Sequence, residues 1–224
     1  MDNSIGTLCL RDLKVFSDTG RDLLSIASLD IQTGERVGIE GPSGAGKSTL
    51  LHALAGLQAK TTGTIKWGEF DVYQATVTNR SSFRREHLGF VFQEFHLFDE
   101  LNPRQNGSIQ ALFRPRTERS TLRTRAESLL EQLNVGNRAS TDLKTYSAGE
   151  KQRISVARAM AHRPSVLLAD EPTASLDREA ADRLAGDLLK HSKDQNMTLV
   201  MVSHDPSILK QMDRIITIKD GYLQ

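Results

Sequence analysis

Gly41-Pro42-Ser43-Gly44-Ala45-Gly46-Lys47-Ser48 is the stretch of this sequence that decides the fold. It fits the pattern G-x-x-x-x-G-K-[ST] at every fixed position. Glycines let the backbone curl so that successive N–H groups point at phosphate oxygens. The lysine ammonium of such a loop reaches the β- and γ-phosphates of a nucleotide, and the serine hydroxyl ligates Mg²⁺. The loop therefore predicts a site for phosphate and a magnesium ion.

The flanking sequence distinguishes this loop from a chance glycine-rich turn, because the motif requires a strand before it and a helix after it. The short apolar run at residues 36–40 predicts the strand. Residues 47–57 predict the helix, whose apolar set is Leu50, Leu51, Leu54 and Leu57. The N-terminus of that helix adds partial positive charge beneath the phosphates. Both flanks favour the phosphate site over the chance turn.

The composition limits the classes to which the chain can belong. Its 224 residues suffice for one large domain or one domain with lobes. With 29 basic and 28 acidic residues the net charge is +1, so we expect no nucleic-acid partner. The single Cys9 permits no internal disulfide and suits a reducing compartment. No stretch approaches the ~20 apolar residues of a membrane span, and residues 1–4 do not begin a signal peptide. We expect a cytosolic protein that meets membranes through a partner.

The order of the predicted elements indicates an α/β fold. We predict strands at residues 7–13, 23–31, 36–40, 64–67, 89–92, 166–169, 198–202 and 215–219, and further helices at residues 121–133, 147–162 and 178–193. The early strands, up to residue 67, are expected to be antiparallel and peripheral. Continuous apolar strands separated by helices argue for a parallel sheet that is covered on both faces.

Ligands of such a sheet bind beyond the carboxyl ends of its strands. Residues with the required chemistry follow those ends: Gly41, Gln93, Asp170, Glu171 and His204. Asp170 can hold Mg²⁺ through water, and Glu171 can orient and deprotonate an attacking water. The alternative is that the two carboxylates simply begin a loop. The phosphate loop in the same chain favours the catalytic interpretation.

Ser147-Ala148-Gly149-Glu150 begins a predicted helix. Serine at the cap with glutamate three residues later forms a capping box, which is a sufficient structural reason for both residues. A helix start that presents a serine hydroxyl and a glycine amide is also an anion site. We expect both interpretations to hold.

Taken together and in order, these motifs resemble the nucleotide-binding subunit of an ABC transporter over nearly the whole chain. The matching motifs are residues 41–49, Gln93, Tyr146-Ser147-Ala148-Gly149-Glu150-Lys151-Gln152-Arg153, Asp170-Glu171-Pro172-Thr173, Ala174-Ser175-Leu176-Asp177 and His204. Within the family, Gly89-Phe90-Val91-Phe92-Gln93-Glu94-Phe95-His96-Leu97 resembles the lipoprotein-releasing and macrolide-export branch. The cell-division ABC ATPase resembles this branch closely.

The resemblance implies ATP and Mg²⁺ as ligands, ATP hydrolysis as the activity, and a role for each matched residue. Phosphate contacts would come from Gly41, Pro42, Ser43, Gly44, Ala45, Gly46, Lys47, Ser48 and Thr49. Phe16 would stack on adenine, unless it is a surface or core phenylalanine. Metal contacts would come from Ser48, Gln93 and Asp170. Catalysis would rest on Glu171 as general base, His204 at the γ-phosphate, and Gln93, which would also sense a membrane partner.

Further residues are implied to act on ATP held by a second copy of the chain. These are Ser147, Gly149 and Glu150, with Ser175 and Asp177 across the dimer seam. The implied fold is a RecA-like P-loop NTPase core with an antiparallel β subdomain and a helical subdomain. Residues 1–224 would form one ABC ATPase domain, with 1–93 and 165–224 as the core plus β subdomain and 94–164 as the helical subdomain. The implied working unit is a head-to-tail dimer bound to an integral membrane permease, peripheral on the inner face of the cell membrane.

Two positions depart from the family pattern. Ala148 replaces a glycine, which costs ~1 kcal/mol if the position needs positive φ, or otherwise crowds the seam. Pro103 lies where relatives carry a helix-friendly segment, and we expect it to interrupt a helix in the partner-facing region.

Other classes of function stay open at this stage. A DNA-repair or chromosome-organising ABC ATPase would need long coiled coils, and residues 94–146 show no sustained heptads. A P-loop kinase or GTPase would not need the motif at residues 146–153, and a guanine-specific Asn-Lys-x-Asp is absent. A non-enzymatic scaffold would not need Glu171 and His204. The transported substrate and the direction of transport do not follow from this sequence.

Overall fold

The computed structural model describes residues 5–138 and 141–224. The interpretation of residues 1–4 as lacking the start of a signal peptide lies outside the described residues. Within the described ranges, no helix combines the length and apolar character that crossing a membrane requires.

A mostly parallel sheet of six strands, in the order β10-β9-β3-β8-β7-β6, forms the centre of the molecule. Its strands are β3 Arg36–Glu40, β6 Leu88–Val91, β7 Val166–Asp170, β8 Thr198–Val202, β9 Arg214–Lys219 and β10 Tyr222–Leu223. The strands from β9 to β6 run parallel, and β10 pairs antiparallel with β9. β7 and β8 are buried at every position. The predicted parallel sheet is confirmed, and β8 has the predicted bounds.

A second sheet, antiparallel and in the order β2-β1-β4-β5, confirms the prediction for the early strands other than β3. For β3 the prediction is wrong, because this strand lies inside the parallel sheet between β9 and β8. The strands of the antiparallel sheet are β1 Leu8–Phe16, β2 Asp22–Ile31, β4 Thr61–Trp67 and β5 Phe70–Asp71. β1 begins one residue later and ends three residues later than predicted, and β4 begins three residues earlier, because Lys14 and Val15 pair with Thr62 and Thr61. Main-chain pairing between strands satisfies N–H and C=O groups whatever the side chains are, so the side-chain pattern did not reveal it.

The described residues contain seven α-helices. They are α1 Lys47–Leu54, α2 Val77–His87, α3 Pro103–Gly107, α4 Arg116–Gln132, α5 Ala148–Met160, α6 Arg178–Asp194 and α7 Pro206–Leu209. The longest, α4 and α6, have 17 residues each, which is far short of a coiled-coil arm. The structure thus weighs against the DNA-repair alternative in the same way as the missing heptads.

The prediction that α1 continues to residue 57 is wrong. Gly56 adopts a left-handed conformation with φ 66°, and a Cβ atom there would lie 2.6 Å from Cγ1 of Val72. Glycine in this conformation ends a helix without strain. Leu57 therefore lies beyond the helix and is 45% exposed, whereas Leu50, Leu51 and Leu54 are buried as predicted.

The prediction that Pro103 interrupts a helix is also wrong, because this proline begins one. The Asn102 side chain accepts a hydrogen bond from the Gln105 N–H, and the Gln105 side chain accepts one from the Asn102 N–H, both at 2.9 Å. Proline loses no helical bond at the first position, since the first N–H groups of a helix have no acceptor within it. Pro103 therefore sets the start of α3.

The two faces of the parallel sheet belong to separate hydrophobic clusters. Val166, Leu168 and Val200 pack in the cluster that includes α1 and the antiparallel sheet. Leu167 and Leu199, which point the other way, pack in a cluster with residues of α4, α5 and α6. Both faces are covered, which leaves the carboxyl edge of the sheet for polar residues.

Candidate active site

The glycine-rich loop connects the end of β3 to the start of α1. Gly41, Gly44 and Gly46 have positive φ angles of 147°, 75° and 103°. At Gly41 a Cβ atom would lie 2.0 Å from the carbonyl oxygen of Ile218, so no side chain fits there. At Gly44 no neighbouring atom lies within 4 Å of a Cβ position, so glycine serves the turn itself. The strand, loop and helix that the motif requires are all present.

Lys47 lies at the first position of α1 with its side chain turned back onto this loop. Its Nζ donates hydrogen bonds to the carbonyl oxygens of Gly41 at 2.9 Å and Pro42 at 2.8 Å. The residue is only 6% exposed, so the ammonium depends on these acceptors. Phosphate oxygens carry charge and are stronger acceptors than neutral carbonyls, so the same ammonium suits an anion bound in the loop.

Asp170 and Ser48 meet where the end of β7 faces the start of α1. Asp170 is 3% exposed, and burial raises the pKa of its carboxyl group, while a hydrogen bond from Ser48 opposes that rise. Its Oδ1 is buried and has no hydrogen-bond partner among the described residues. A carboxylate oxygen and a hydroxyl are the hard ligands that Mg²⁺ prefers. This donor set therefore fits a magnesium ion.

No cluster of three or more His, Cys, Asp or Glu side chains that could hold a metal occurs in residues 5–138 and 141–224. Magnesium is usually bound by one or two protein groups together with water and substrate phosphates, whereas dedicated protein cages use more ligands. The pair Ser48 and Asp170 matches the first kind of site.

Glu171 and His204 form a close pair directly beyond the neighbouring strands β7 and β8. His204 Nε2 lies 2.9 Å from Glu171 Oε1. Because Asp170 pairs with Val202 in the sheet, the residues that follow each strand come together. Glu171 has φ 47°, and its N–H donates to the Val202 carbonyl at 3.2 Å. Positive φ is uncommon for residues other than glycine, and such conformations cluster at active sites.

A cavity of about 560 Å³ opens beside this pair and is lined in part by Ala174, Leu176 and Ser203. Leu176 also approaches the start of α5, since a Cβ atom on Gly149 would lie 2.6 Å from its Cδ2. Leu176 belongs to one of the matching sequence motifs, but no role was predicted for it. Its position in the sequence between the predicted site residues Glu171 and Asp177 could have indicated that it lies near the site.

The start of α5 confirms the predicted capping box. Ser147 Oγ accepts a hydrogen bond from the Glu150 N–H at 3.3 Å, and the Glu150 carboxylate accepts one from the Ser147 N–H at 2.8 Å. The bond from the Ser147 backbone is the main cause that lowers the Glu150 pKa, and Arg138 contributes to it. Ala148 is exposed and is not among the residues with positive φ, so the version of its role that required positive φ is wrong.

The remaining predicted site residues lie on separate elements. Gln93 is exposed and follows β6 at the carboxyl edge of the sheet. Phe16, half-buried, ends β1 and pairs with Asp22, close to the point where β2 passes the phosphate loop. Asp177 caps α6 by accepting a hydrogen bond from the Ala180 N–H at 3.0 Å, which lowers its pKa. This capping role was not predicted, although an aspartate immediately before a predicted helix signals it.

The glycine-rich loop, the buried Asp170 and the Glu171–His204 pair all lie at the carboxyl edge of the parallel sheet. Residues 24–174 match the family model described as ABC transporter. The chain belongs to this family. Its two sheets and their helices form the ABC ATPase fold, and the resemblance inferred from the motifs is confirmed.

Three similar proteins define the neighbourhood of this ABC ATPase. The lipoprotein-releasing system ATP-binding protein LolD of Novosphingobium aromaticivorans is 37% identical over 218 residues, which cover 96% of this chain and 97% of LolD. The macrolide export ATP-binding/permease protein MacB of Escherichia coli K12 is 38% identical over 200 residues, but the chain spans only 31% of MacB. The dimeric post-hydrolysis structure of the ATP-binding cassette MJ0796, bound to ADP and Pi, superposes with a TM-score of 0.89 at 31% identity, covering 97% and 96% of the two chains.

Proposed function

We propose that this chain binds MgATP in the phosphate loop, hydrolyses it with Glu171 as general base, and works as one half of a dimer that drives a membrane permease. The observation that carries the proposal is the Glu171–His204 pair, held at 2.9 Å beyond β7 and β8, of which β8 lies next to the strand that leads into the loop. A carboxylate in that place is available to a water molecule that attacks a phosphate.

Nucleotide binding would rest on the loop at residues 41–49. Lys47 would exchange its two carbonyl acceptors for phosphate oxygens. Phe16 would stack on the base, which its position near the loop supports. Ser48 and Asp170 would hold Mg²⁺, with Gln93 as a further contact from the end of β6. The metal would neutralise charge that develops on the phosphates.

Catalysis would use the strained position of Glu171. Its backbone is held by the Val202 carbonyl, and its carboxylate by His204, so the oxygen that accepts a proton keeps one orientation. His204 is the more exposed of the two and can reach a γ-phosphate while it bonds to Glu171. General bases of this kind contribute about 10²–10⁴-fold to rate.

The second copy of the chain would complete each site. Ser147 and Glu150 bond to each other, and Glu150 forms an ion pair with Arg138. No hydrogen bond or ion pair joins Ser147 or Glu150 to the phosphate loop in the described residues. In a head-to-tail dimer Ser147, Gly149 and Glu150 would face the ATP of the other copy, with Ser175 and Asp177 at the seam. The dimeric MJ0796 structures support this arrangement.

The partner would be an integral membrane permease, which would place this chain on the cytoplasmic face of the cell membrane. LolD and MacB, named for lipoprotein release and macrolide export, favour that branch over the DNA-repair class. The cell-division ABC ATPase would share the same catalytic residues and differ in its partner. Within the domain, residues 94–164 would form the helical subdomain, and 1–93 with 165–224 the core and β subdomain.

One experiment tests hydrolysis, binding and dimer formation together. We expect Glu171→Gln to bind ATP normally, to hydrolyse it about 10²–10⁴-fold more slowly, and to dimerise when ATP is present. Lys47→Ala should lose both binding and dimerisation, because its charge faces the β- and γ-phosphates. Isothermal titration, phosphate release and light scattering with and without ATP measure these outcomes. Turnover near wild type in Glu171→Gln would show that another residue, with His204 first, is the base.

A further inference from the structure

Arg158 connects two parts of the site that are far apart in sequence. It lies on α5, near the end opposite Ser147. Its guanidinium donates a hydrogen bond to the Phe95 carbonyl at 2.9 Å and another to the His96 carbonyl. Both acceptors belong to the irregular segment that directly follows Gln93.

This arrangement places a cation in a costly position. No carboxylate lies within ion-pair distance of Arg158 in the part of the chain that the structure describes. Burial lowers the pKa of its guanidinium from the usual value. A desolvated charge without a counter-ion destabilises the fold unless its hydrogen bonds compensate. The compensation here consists of the two main-chain carbonyls, so the contact fixes their position.

The segment that Arg158 holds has little regular structure of its own. Between the end of β6 and the start of α3 the chain forms neither helix nor strand, and His96 has φ 45°. The rings of Phe92 and His96 meet edge to face with centroids 4.9 Å apart, and Phe92 stacks on Phe90 of β6 at 4.1 Å. Ring packing secures one side of the segment, and Arg158 secures its main chain on the other.

We propose that Arg158 is a positioning residue that joins the segment after Gln93 to α5 as one rigid piece. This inference rests on the proposed function. The 13-residue helix α5 is about 20 Å long, with Ser147 at one end and Arg158 close to the other. Gln93, at the chain's own nucleotide, and Ser147, at the nucleotide of the second copy, would then move together. Without Arg158 each would sample its own orientations, and dimer closure would have to order both at an entropic cost.

The test uses the full chain with Glu171→Gln, so that ATP holds the dimer. Arg158→Met removes both donors and keeps much of the side-chain volume, whereas Arg158→Lys keeps a charge that can reach one carbonyl. Arg119→Met is the matched control, since Arg119 also donates to two carbonyls, those of Leu112 and Arg114, but far from Gln93 in the chain. For each variant, light scattering gives the protein concentration at half dimerisation in saturating ATP. A fluorescent ATP analogue gives the affinity of the monomer at high dilution.

We expect Arg158→Met to raise the concentration at half dimerisation about tenfold, which is the effect of losing a hydrogen bond to a charged group. Monomer affinity for the nucleotide should stay within twofold of the parent, because the phosphate loop is unchanged. The concentration at half dimerisation of Arg158→Lys should lie between those of the parent and Arg158→Met, and that of Arg119→Met should match the parent. Hydrogen exchange should speed up at residues 94–98 in Arg158→Met alone.

The controls separate the possible failures. Equal weakening of the dimer by Arg158→Met and Arg119→Met would show a merely structural contribution and overturn the inference. The same holds if Arg158→Lys weakens the dimer as much as Arg158→Met. A Glu171→Gln parent that stays monomeric in ATP would instead overturn the proposed function, and this inference with it.

Discussion

At the scale of the residue, burial decides the protonation of His162. This histidine lies just beyond α5 and is 7% exposed, and neither ring nitrogen makes a hydrogen bond of good geometry among the described residues. Burial lowers its pKa from 6.5 to about 4. Arg114 contributes to the lowering, and the nearby Leu88 backbone opposes it. The folded protein therefore keeps the imidazole neutral at pH values where the unfolded chain protonates it.

The sign of the pH effect on stability follows from this pKa. Well above pH 6.5 the ring is neutral in both states, and its titration does not affect the free energy of unfolding. As the pH falls towards 4, the unfolded chain takes up the proton first and the free energy of unfolding decreases, by about 2 kcal/mol at pH 5. We expect His162→Phe to lose correspondingly less stability between pH 7 and pH 5. Urea unfolding at the two pH values measures this, and identical pH dependence of both proteins would contradict it.

At the scale of the element, the N-terminus of α5 combines a structural cap with the predicted contact to the second copy. Ala148 occupies the first helical position and is exposed. We expect Ala148→Gly to lower the free energy of unfolding by about 0.5 kcal/mol, because glycine loses more backbone freedom on folding.

Gly186 lies in the exposed interior of α6, where a Cβ atom would meet no neighbour. Gly186→Ala should therefore raise the free energy of unfolding by about 0.5–1 kcal/mol.

Chemical unfolding of both variants and of the parent protein tests the direction of each change in the free energy of unfolding. A gain in stability for Ala148→Gly would mean that the position is strained after all. A rise in ATPase turnover that accompanies the expected loss would show that the alanine methyl crowds the seam of the dimer.

At the scale of the whole molecule, exposed apolar side chains identify a candidate surface for the permease. Phe98, Leu112 and Phe113, on either side of α3, are 51%, 59% and 66% exposed. From sequence alone we expect Phe95, Leu97, Phe98 and Leu101 to form part of a groove for a cytoplasmic helix of the permease. Leu97 instead packs against the hydrophobic cluster that contains residues of α4, α5 and α6, so core packing explains why this residue is apolar. A contiguous exposed apolar patch is typical of interaction sites, and we expect these three side chains, Phe98, Leu112 and Phe113, to form one.

We expect Phe98→Ser to leave thermal stability and basal ATPase activity unchanged and to weaken binding to inside-out membrane vesicles of the source cell about tenfold, since an aromatic anchor in an interface contributes over 1 kcal/mol. Val77→Ser, equally apolar but on α2 and 72% exposed, is the control and should bind like the parent. Sedimentation of the protein with the vesicles gives the affinity. Equal binding of both variants would place the permease on another surface.

Motifs of consecutive residues determined much of this protein without any tertiary information. The phosphate loop, the capping box at Ser147 and the order of strands and helices each depend on conformations within a few residues, which the side chains set directly. The errors at Leu57 and Pro103 are also local. Gly56 and Asn102 already carry the helix stop and the helix cap, so both boundaries are encoded within a few residues of the sequence.

Only the tertiary structure decided which distant residues meet. His204 reaches Glu171 because β8 lies next to β7, and Ser48 reaches Asp170 because α1 packs against β7. Arg158 reaches the Phe95 carbonyl across 63 positions of sequence. Strand order in a parallel sheet does not follow chain order, since each crossover can join strands that are not neighbours. The residue types therefore indicate the chemistry of the site, whereas the packing of the sheet and helices sets the distances between the groups that carry it.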